Sequence, residues 1–206
     1  MKKLLLLTVL FIPIFCFGQK KEKIDIIKNW MNTEYFKIDG DNFVVSKVIN
    51  DVQGTKDELY IKVKNFFARY YNNANSVIQT DDKEAGTIIG KGFYKNLYFG
   101  VYWFDYLYIN SYYILRVDIK DNRIRVICSA NMMEWIKENN KYGRTQGSYY
   151  ILDYPPFGNK PDAIISISKG ARTDAFINLI KAMHATIDTA EKTIKEGAIS
   201  GENDDW

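Results

Sequence analysis

Hydrophobic residues along this chain recur at two different periods, and each change of period marks a boundary. Over TKDELYIKVKNFFARYYN, Leu59, Val63, Phe66, Phe67 and Tyr70 fall on one face at helical spacing, so this stretch predicts an amphipathic helix. Thr55 followed by Glu58 fits a capping box, in which each side chain satisfies a free amide of the first turn. Glu58 and Lys62 stand four apart, in the favourable order for a helix surface pair. Burying those five apolar side chains would contribute roughly 8–15 kcal/mol before entropy, an upper bound because unfolded chains already hide some apolar surface. Such a helix needs a sheet to lie on. The next segment, SVIQTDDKEAGTIIGKGFY, supplies β-branched runs at Val77-Ile78 and Thr87-Ile88-Ile89, separated by a turn over residues 81–86.

The same reading extends in both directions. Ile24, Ile27, Trp30 and Met31 follow helical spacing and predict a short N-terminal helix. Asp39-Gly40-Asp41-Asn42 reads as a turn, and FVVSKVI over 43–49 as the first strand of the main domain. Between Phe93 and Tyr113 stand eleven aromatics in twenty-one residues. Alternation predicts strands over 97–109, 111–120 and 123–130, with Asp121-Asn122 as a tight turn. It puts Phe99, Val101, Trp103, Leu107 and Ile109 on one side of the first of these. Tyr98, Tyr102, Phe104, Tyr106 and Tyr108 fall on the other. Tyr113, Leu115, Val117 and Ile119 alternate with Tyr112, Arg116, Asp118 and Lys120, and Ile124, Val126 and Cys128 alternate with Arg123 and Arg125. One face is apolar enough to be core, and the opposite one is rich in tyrosine with arginines beside it.

Beyond residue 131 the pattern is weaker. Met132, Met133, Trp135 and Ile136 suggest a short helix, residues 142–147 a loop, and residues 149–152 an extra strand ended by Pro155-Pro156-Phe157-Gly158. Residues 131–170 thus read as an irregular insertion. A long helix follows from about Thr173 to Glu196, stopped at Gly197, with Phe176, Leu179, Ile180, Met183, Ile187 and Ile194 on one face. Asp188–Lys192 and Glu191–Lys195 are four-apart pairs on its exposed side. The polar tail GENDDW closes the chain.

Composition adds limits. The 206 residues suffice for one ordinary domain plus an appendage, and 47% hydrophobic content supports a packed core. Lys2 and Lys3 precede an apolar run from Leu4 to Phe17, ahead of Gly18. That is the layout of a signal peptide, too short to span a membrane comfortably, with cleavage expected between Gly18 and Gln19. The expected destination is the periplasm or the exterior. Lipid anchoring at Cys16 calls for a small residue before the cysteine, and Phe15 is bulky. The domain plan is then signal peptide over 1–18, an extension with a short helix over 19–42, one α+β domain over 43–200 and a tail over 201–206. No later run reaches membrane-spanning length. Removing residues 1–18 leaves 26 cationic against 25 anionic side chains, a net charge of +1 that offers no electrostatic reason to bind nucleic acid. Only Cys128 remains, so no disulfide framework is expected.

Candidate chemistry is sparse. Residues 86–92, GTIIGKG, have three residues where a phosphate loop needs four, and Gly92 where it needs Ser or Thr. A strand whose glycines admit a closely packed helix fits better. Asp81, Asp82 and Glu84 lack the alternate spacing of a calcium loop and surround Lys83, which reads as a solvated turn. Cys128 and His184 could form a nucleophile pair only if the thiol were accessible, and Cys128 falls on the core-facing set of its strand. One histidine gives poor support to a zinc site. No catalytic residue, metal ligand or cofactor is assigned. The candidate binding residues are Tyr98, Tyr102, Tyr106, Tyr108, Tyr112, Arg116 and Arg125, since tyrosines give large contact area with a polar tip at little entropic cost. The competing reading is a second core layer, or a face covered by residues 131–170.

TKDELY, SVIQTDDKEAGTIIGKG and the strand-turn-strand around VDIKDNRIRV together resemble a domain of unknown function with a TBP-like fold, found in exported proteins of Bacteroidota-type bacteria. The resemblance covers residues 43–130, with the C-terminal helix as a partner. It implies an α+β fold: a curved antiparallel sheet with helices packed on one face, like half of a TATA-binding protein. It implies export and no particular activity, and a shared fold is no warrant for DNA binding. The expected function is a non-catalytic module that binds a protein, peptide or glycan of the cell envelope through its sheet. The alternative is an envelope enzyme or accessory without a recognisable motif.

Overall fold

A computed structural model describes residues 22–23, 25–33, 36–71, 77–102, 105–139, 141–154, 157–158 and 167–196. In chain order these form α1 (25–31), β1 (Phe36–Asp39), β2 (Asn42–Asn50), α2 (Lys56–Tyr70), β3 (Ile78–Asp82), β4 (Thr87–Tyr102), β5 (Asp105–Lys120), β6 (Arg123–Ala130), β7 (Met132–Asn139), β8 (Gly143–Tyr150), a 3-10 turn (Ile151–Asp153) and α3 (Lys169–Glu196). The expected signal peptide, the Pro155-Pro156 dipeptide and the polar tail lie outside the described residues.

Every described strand pairing is antiparallel, and the strands form one sheet in the order β1-β2-β6-β5-β4-β3. β5 is long enough to serve two neighbours along one edge. Its C-terminal half pairs with β6 and its N-terminal half with β7, which in turn carries β8. Between the pairs Ile114↔Ser129 and Ser111↔Met133 there are two residues on β5 and three on the facing chain. The extra residue is a β-bulge, and it reverses the alternation. The core residues of β6 are Ile124, Val126, Cys128 and Ala130, whereas that of β7 is Met133.

The helices lie on one side. Thr55 caps α2 with both halves of the capping box formed, and Leu59, Val63, Phe66 and Phe67 are buried beneath it as the spacing requires. From α3, Phe176, Leu179, Ile180, Met183, Ile187 and Ile194 are all buried, and Phe43 of β2 meets Phe176 edge-on at 5.1 Å. Ile27 of α1 joins the same core. Glycines let this layer close up. A Cβ at Gly90 would stand 2.6 Å from the Phe67 ring, and one at Gly92 would stand 2.2 Å from Tyr113. The spacing in GTIIGKG is therefore that of a strand under a helix.

Five sequence expectations are corrected here, and Trp103 and Phe104 of the expected aromatic strand lie outside the described residues. The strand expected over 97–109 is a hairpin: β4 ends at Tyr102, which pairs with Asp105 of β5. A continuous aromatic run gives no alternation signal at a turn. The short helix expected at 132–136 is β7, and the loop expected at 142–147 is most of β8. β7 is drawn into the sheet by the free edge of β5 and β8 by that of β7, neighbours that local sequence does not reveal. The segment 131–150 is accordingly two regular strands; of the strand expected over 149–152, residues 149–150 end β8 and Ile151-Leu152 enter the 3-10 turn, with Ile151 buried. Asp188, expected to pair with Lys192, instead lies 3.6 Å from Lys47 of β2, whose ammonium also contacts Glu191 at 2.6 Å.

Candidate functional site

Cross-strand register fixes which side chains share a face. Odd-numbered residues of β5 from Leu107 to Ile119 point to the helices, and even-numbered ones point away. Their partners on β4 follow: Phe99 faces Tyr108, Val101 faces Tyr106 and Phe93 faces Tyr112. On β6 and β7, Asp118 faces Arg125, Arg116 faces Ile127 and Tyr108 faces Ile136. The helix-free side of the sheet thus carries an aromatic and aliphatic band over β4, β5 and β7, with arginines at one end.

The band is exposed. Phe99 is 52% accessible, Phe93 and Tyr112 are each 42%, and Tyr106 is 36%; Val101, Ile114, Val48 and Tyr150 are exposed too. No described element packs over it. The rings support one another: Phe93 and Tyr112 lie 4.7 Å apart, Phe99 and Tyr108 5.1 Å, and the Lys91 ammonium sits 4.3 Å over Tyr112. At the arginine end, Asp118 accepts from Arg116 Nε at 2.7 Å, from Arg125 Nη2 at 2.6 Å and from Thr87 Oγ1 at 3.1 Å. Partial burial pulls the Asp118 carboxyl upward, but the Arg116 and Arg125 hydrogen bonds outweigh it and hold the group below the ordinary carboxylate range.

Five of the seven sequence-predicted residues, Tyr106, Tyr108, Tyr112, Arg116 and Arg125, meet on this face. Tyr98 and Tyr102 do not; they lie on the helix side, where their hydroxyls pair at 2.6 Å and flank Gly100. Burial first, then the bond to Tyr102, pushes the Tyr98 hydroxyl up to about 12. Phe99 and Val101, expected in the core, take their places on the open face. The cause is the hairpin: Tyr102 pairs with Asp105, so the chain reverses between them and the single alternation assumed for 97–109 is broken. A second irregularity precedes it. Tyr94 pairs with Ser111 and Tyr98 with Ile109, so β4 holds three intervening residues against one on β5. Asn96 sits there at φ 56°, its amide bonded to Asn110 Oδ1 at 2.8 Å. An even insertion preserves the parity, and only the turn swaps the faces.

Residues bearing other chemistry are engaged elsewhere. Cys128 is fully buried and desolvation pushes its thiol up to about 12, which leaves no thiolate to react. His184 of α3 rests on the Trp30 ring at 4.2 Å. Asp81 is bonded by the Tyr60 hydroxyl and by Lys64, and Asp82 Oδ1 accepts the Ala85 amide in the β3–β4 turn. A buried hydroxyl set ties helices to sheet: Tyr94 contacts Thr186 Oγ1 at 2.7 Å, Thr186 contacts Tyr70 at 3.1 Å, and Tyr71 contacts Tyr113 at 3.0 Å. Sequence inspection missed this set: periodicity put Tyr70 and Tyr113 on apolar faces, but which hydroxyls meet between helix and sheet depends on tertiary packing.

Residues 46–132 match the model of a domain of unknown function (DUF4468) with TBP-like fold. Among solved structures, the chain is similar to a TBP-like protein from Parabacteroides distasonis, at 15% identity and TM-score 0.51, over 75% of this chain and 96% of that one. A DUF4468 family protein from Bacteroides ovatus is 14% identical with TM-score 0.48, over 77% of this chain and 91% of that one. At such identities the likeness speaks to fold alone. No curated protein matches.

Proposed function

We propose that this chain, whose residues 46–132 match the model of a domain of unknown function (DUF4468) with TBP-like fold, is a non-catalytic binding module whose docking surface is the helix-free face of the sheet. The observation that carries this reading is the exposed band of Phe93, Phe99, Val101, Tyr106, Tyr112 and Ile114. Soluble proteins rarely leave a contiguous apolar patch of this extent in water unless something covers it in use. Aromatic rings already supported by their neighbours lose little entropy on binding. Arg116 and Arg125 at one end, and Lys91 over the central Tyr112 ring, add charge that orients whatever docks.

The test is a comparison of two double variants on opposite sides of the sheet. Phe99→Ser with Tyr112→Ser should abolish crosslinking of the protein to its neighbours in cell-envelope preparations. Tyr98→Phe with Tyr102→Phe should leave it intact. Equal crosslinking by both variants overturns the reading. The same reading has the chain exported, which residues 1–18 support by their basic start and short apolar run. Intact mass of the protein from the envelope fraction should correspond to a chain beginning at Gln19; a mass retaining residues 1–18, or acyl chains on Cys16, would overturn that part.

A further inference from the structure

The open face matches itself. Four and six residues out along β5 from the row that contains Phe93, Tyr112 and Met132, the side chains in one direction are the chemical complements of those in the other. On β5, Tyr108 stands as far above Tyr112 as Arg116 stands below it, and Tyr106 as far above as Asp118 below. On the neighbouring ribbon, Ile136 and Glu138 of β7 mirror Ile127 and Arg125 of β6, since they pair with those same β5 positions. On β4, Phe99 and Val101 mirror Ile89 and Thr87.

We infer that the occupant of this face is a second copy of the chain. The two sheets stack face to face about a two-fold axis that crosses β5 at Tyr112 and lies between the layers. This rests on the reading that the face is a docking surface and adds the identity of the partner. The operation keeps each strand over its own counterpart and reverses its direction. Arg125 then meets Glu138 of the other copy, the Tyr106 hydroxyl meets the Asp118 carboxylate, Arg116 meets the Tyr108 ring, and Ile127 meets Ile136. Phe93, Tyr112 and Met132 meet themselves on the axis. An isologous contact needs this kind of self-complementarity, because each residue pair occurs twice.

The extent suffices. The thirteen residues of β5 from Tyr106 to Asp118 span roughly 40 Å, and four strands across span about 19 Å. The product, roughly 750 Å² per protomer, approaches the ~800 Å² per partner of a standard stable interface. Stacked sheets lie ~10 Å apart with interleaved side chains, and the band already holds its rings in supported positions for that.

Sedimentation equilibrium of the purified protein tests this. Wild type should self-associate as a dimer. Phe93→Asp puts two carboxylates together on the axis, and Glu138→Arg puts cations together off it; each should weaken the dimer at least about 10-fold, with circular dichroism melts confirming that the variants are folded. Arg125→Glu combined with Glu138→Arg exchanges the pair and should restore dimerisation relative to Glu138→Arg alone. A wild type that sediments as a monomer up to about 1 mM, a range that reaches even weak association, overturns the inference. So does a dimer indifferent to Phe93→Asp. Either result leaves the docking-surface reading to be judged by its own crosslinking comparison, because a monomer can still present this face to a different molecule.

Discussion

Asp118 shows how one carboxylate organises a patch. It sits on the open face, 16% exposed, and gathers Arg116, Arg125 and Thr87. Burial alone would favour the protonated acid; the two arginines reverse the sign, so its folded pKa lies below the ordinary value. A group with a depressed folded pKa contributes stability that is present above its unfolded pKa, about 3.9 for Asp. That contribution is lost as pH falls through the folded value. Asp118→Asn should therefore lower the urea midpoint at neutral pH, where the arginines lose their partner. It should also flatten the fall in midpoint that wild type shows below about pH 4. An unchanged acid slope in the variant would mean that other carboxylates carry the dependence; Asp81, Asp105, Glu58 and Glu191 also have lowered values.

At the scale of elements, the most consequential residue is Asn131. It lies between β6 and β7, in the stretch where the facing chain has one residue more than β5. That insertion lets β6 direct even-numbered residues to the core while β7 directs Met133 there. Deleting Asn131 keeps the ribbon length nearly constant but turns Glu134 inward and Met133 outward, because strand side chains alternate with period two. The expected result is a loss of about 3 kcal/mol or more, from a buried carboxylate without a partner, read as a shift of the chemical denaturation curve. A neutral effect would show that the strand slips to restore its pairing. The helices were simpler to anticipate. Thr55 and Glu58 announce the start of α2 because capping is local, and the box forms as its spacing predicts. The start of α3 came four residues earlier than expected, at Lys169, where Ser168 Oγ accepts the Ala171 amide as an N-cap; the apolar periodicity from Phe176 onward had placed the boundary later.

On the scale of the molecule, two helices and a sheet are joined by contacts between residues far apart in sequence. Lys47 of β2 reaches Glu191 of α3, and its ammonium is held above the ordinary lysine range, first by that hydrogen bond. Tyr94 of β4 carries its hydroxyl to Thr186 of α3, with the Tyr113 ring stacked on it at 3.9 Å. Desolvation pushes the Tyr94 hydroxyl far above the ordinary tyrosine range, so it stays a neutral donor. Tyr94→Phe removes that donor while Thr186 keeps the Ala182 carbonyl and Tyr70. The cost should be about 1 kcal/mol in a urea titration, with the fold intact. A loss several times larger would mean that the hydroxyl set acts as one unit.

What the chain settled by itself was everything governed by near neighbours. Periodicity gave α2 and α3 their buried faces, the capping pair gave α2 its start, Asp121-Asn122 gave the β5–β6 turn, and Gly90 and Gly92 marked where a ring from another element lies on the strand. Five of the seven candidate residues were legible for the same reason: within β5 and β6, alternation alone sorts Tyr106, Tyr108, Tyr112, Arg116 and Arg125 to one side. The β4–β5 hairpin, the bulge at Asn131 and the recruitment of β7 and β8 were decided only by the folded sheet. Their cause is hydrogen bonding between strands, β7 to β5 and β8 to β7, and a strand's side chains take their faces from the register that such a partner imposes.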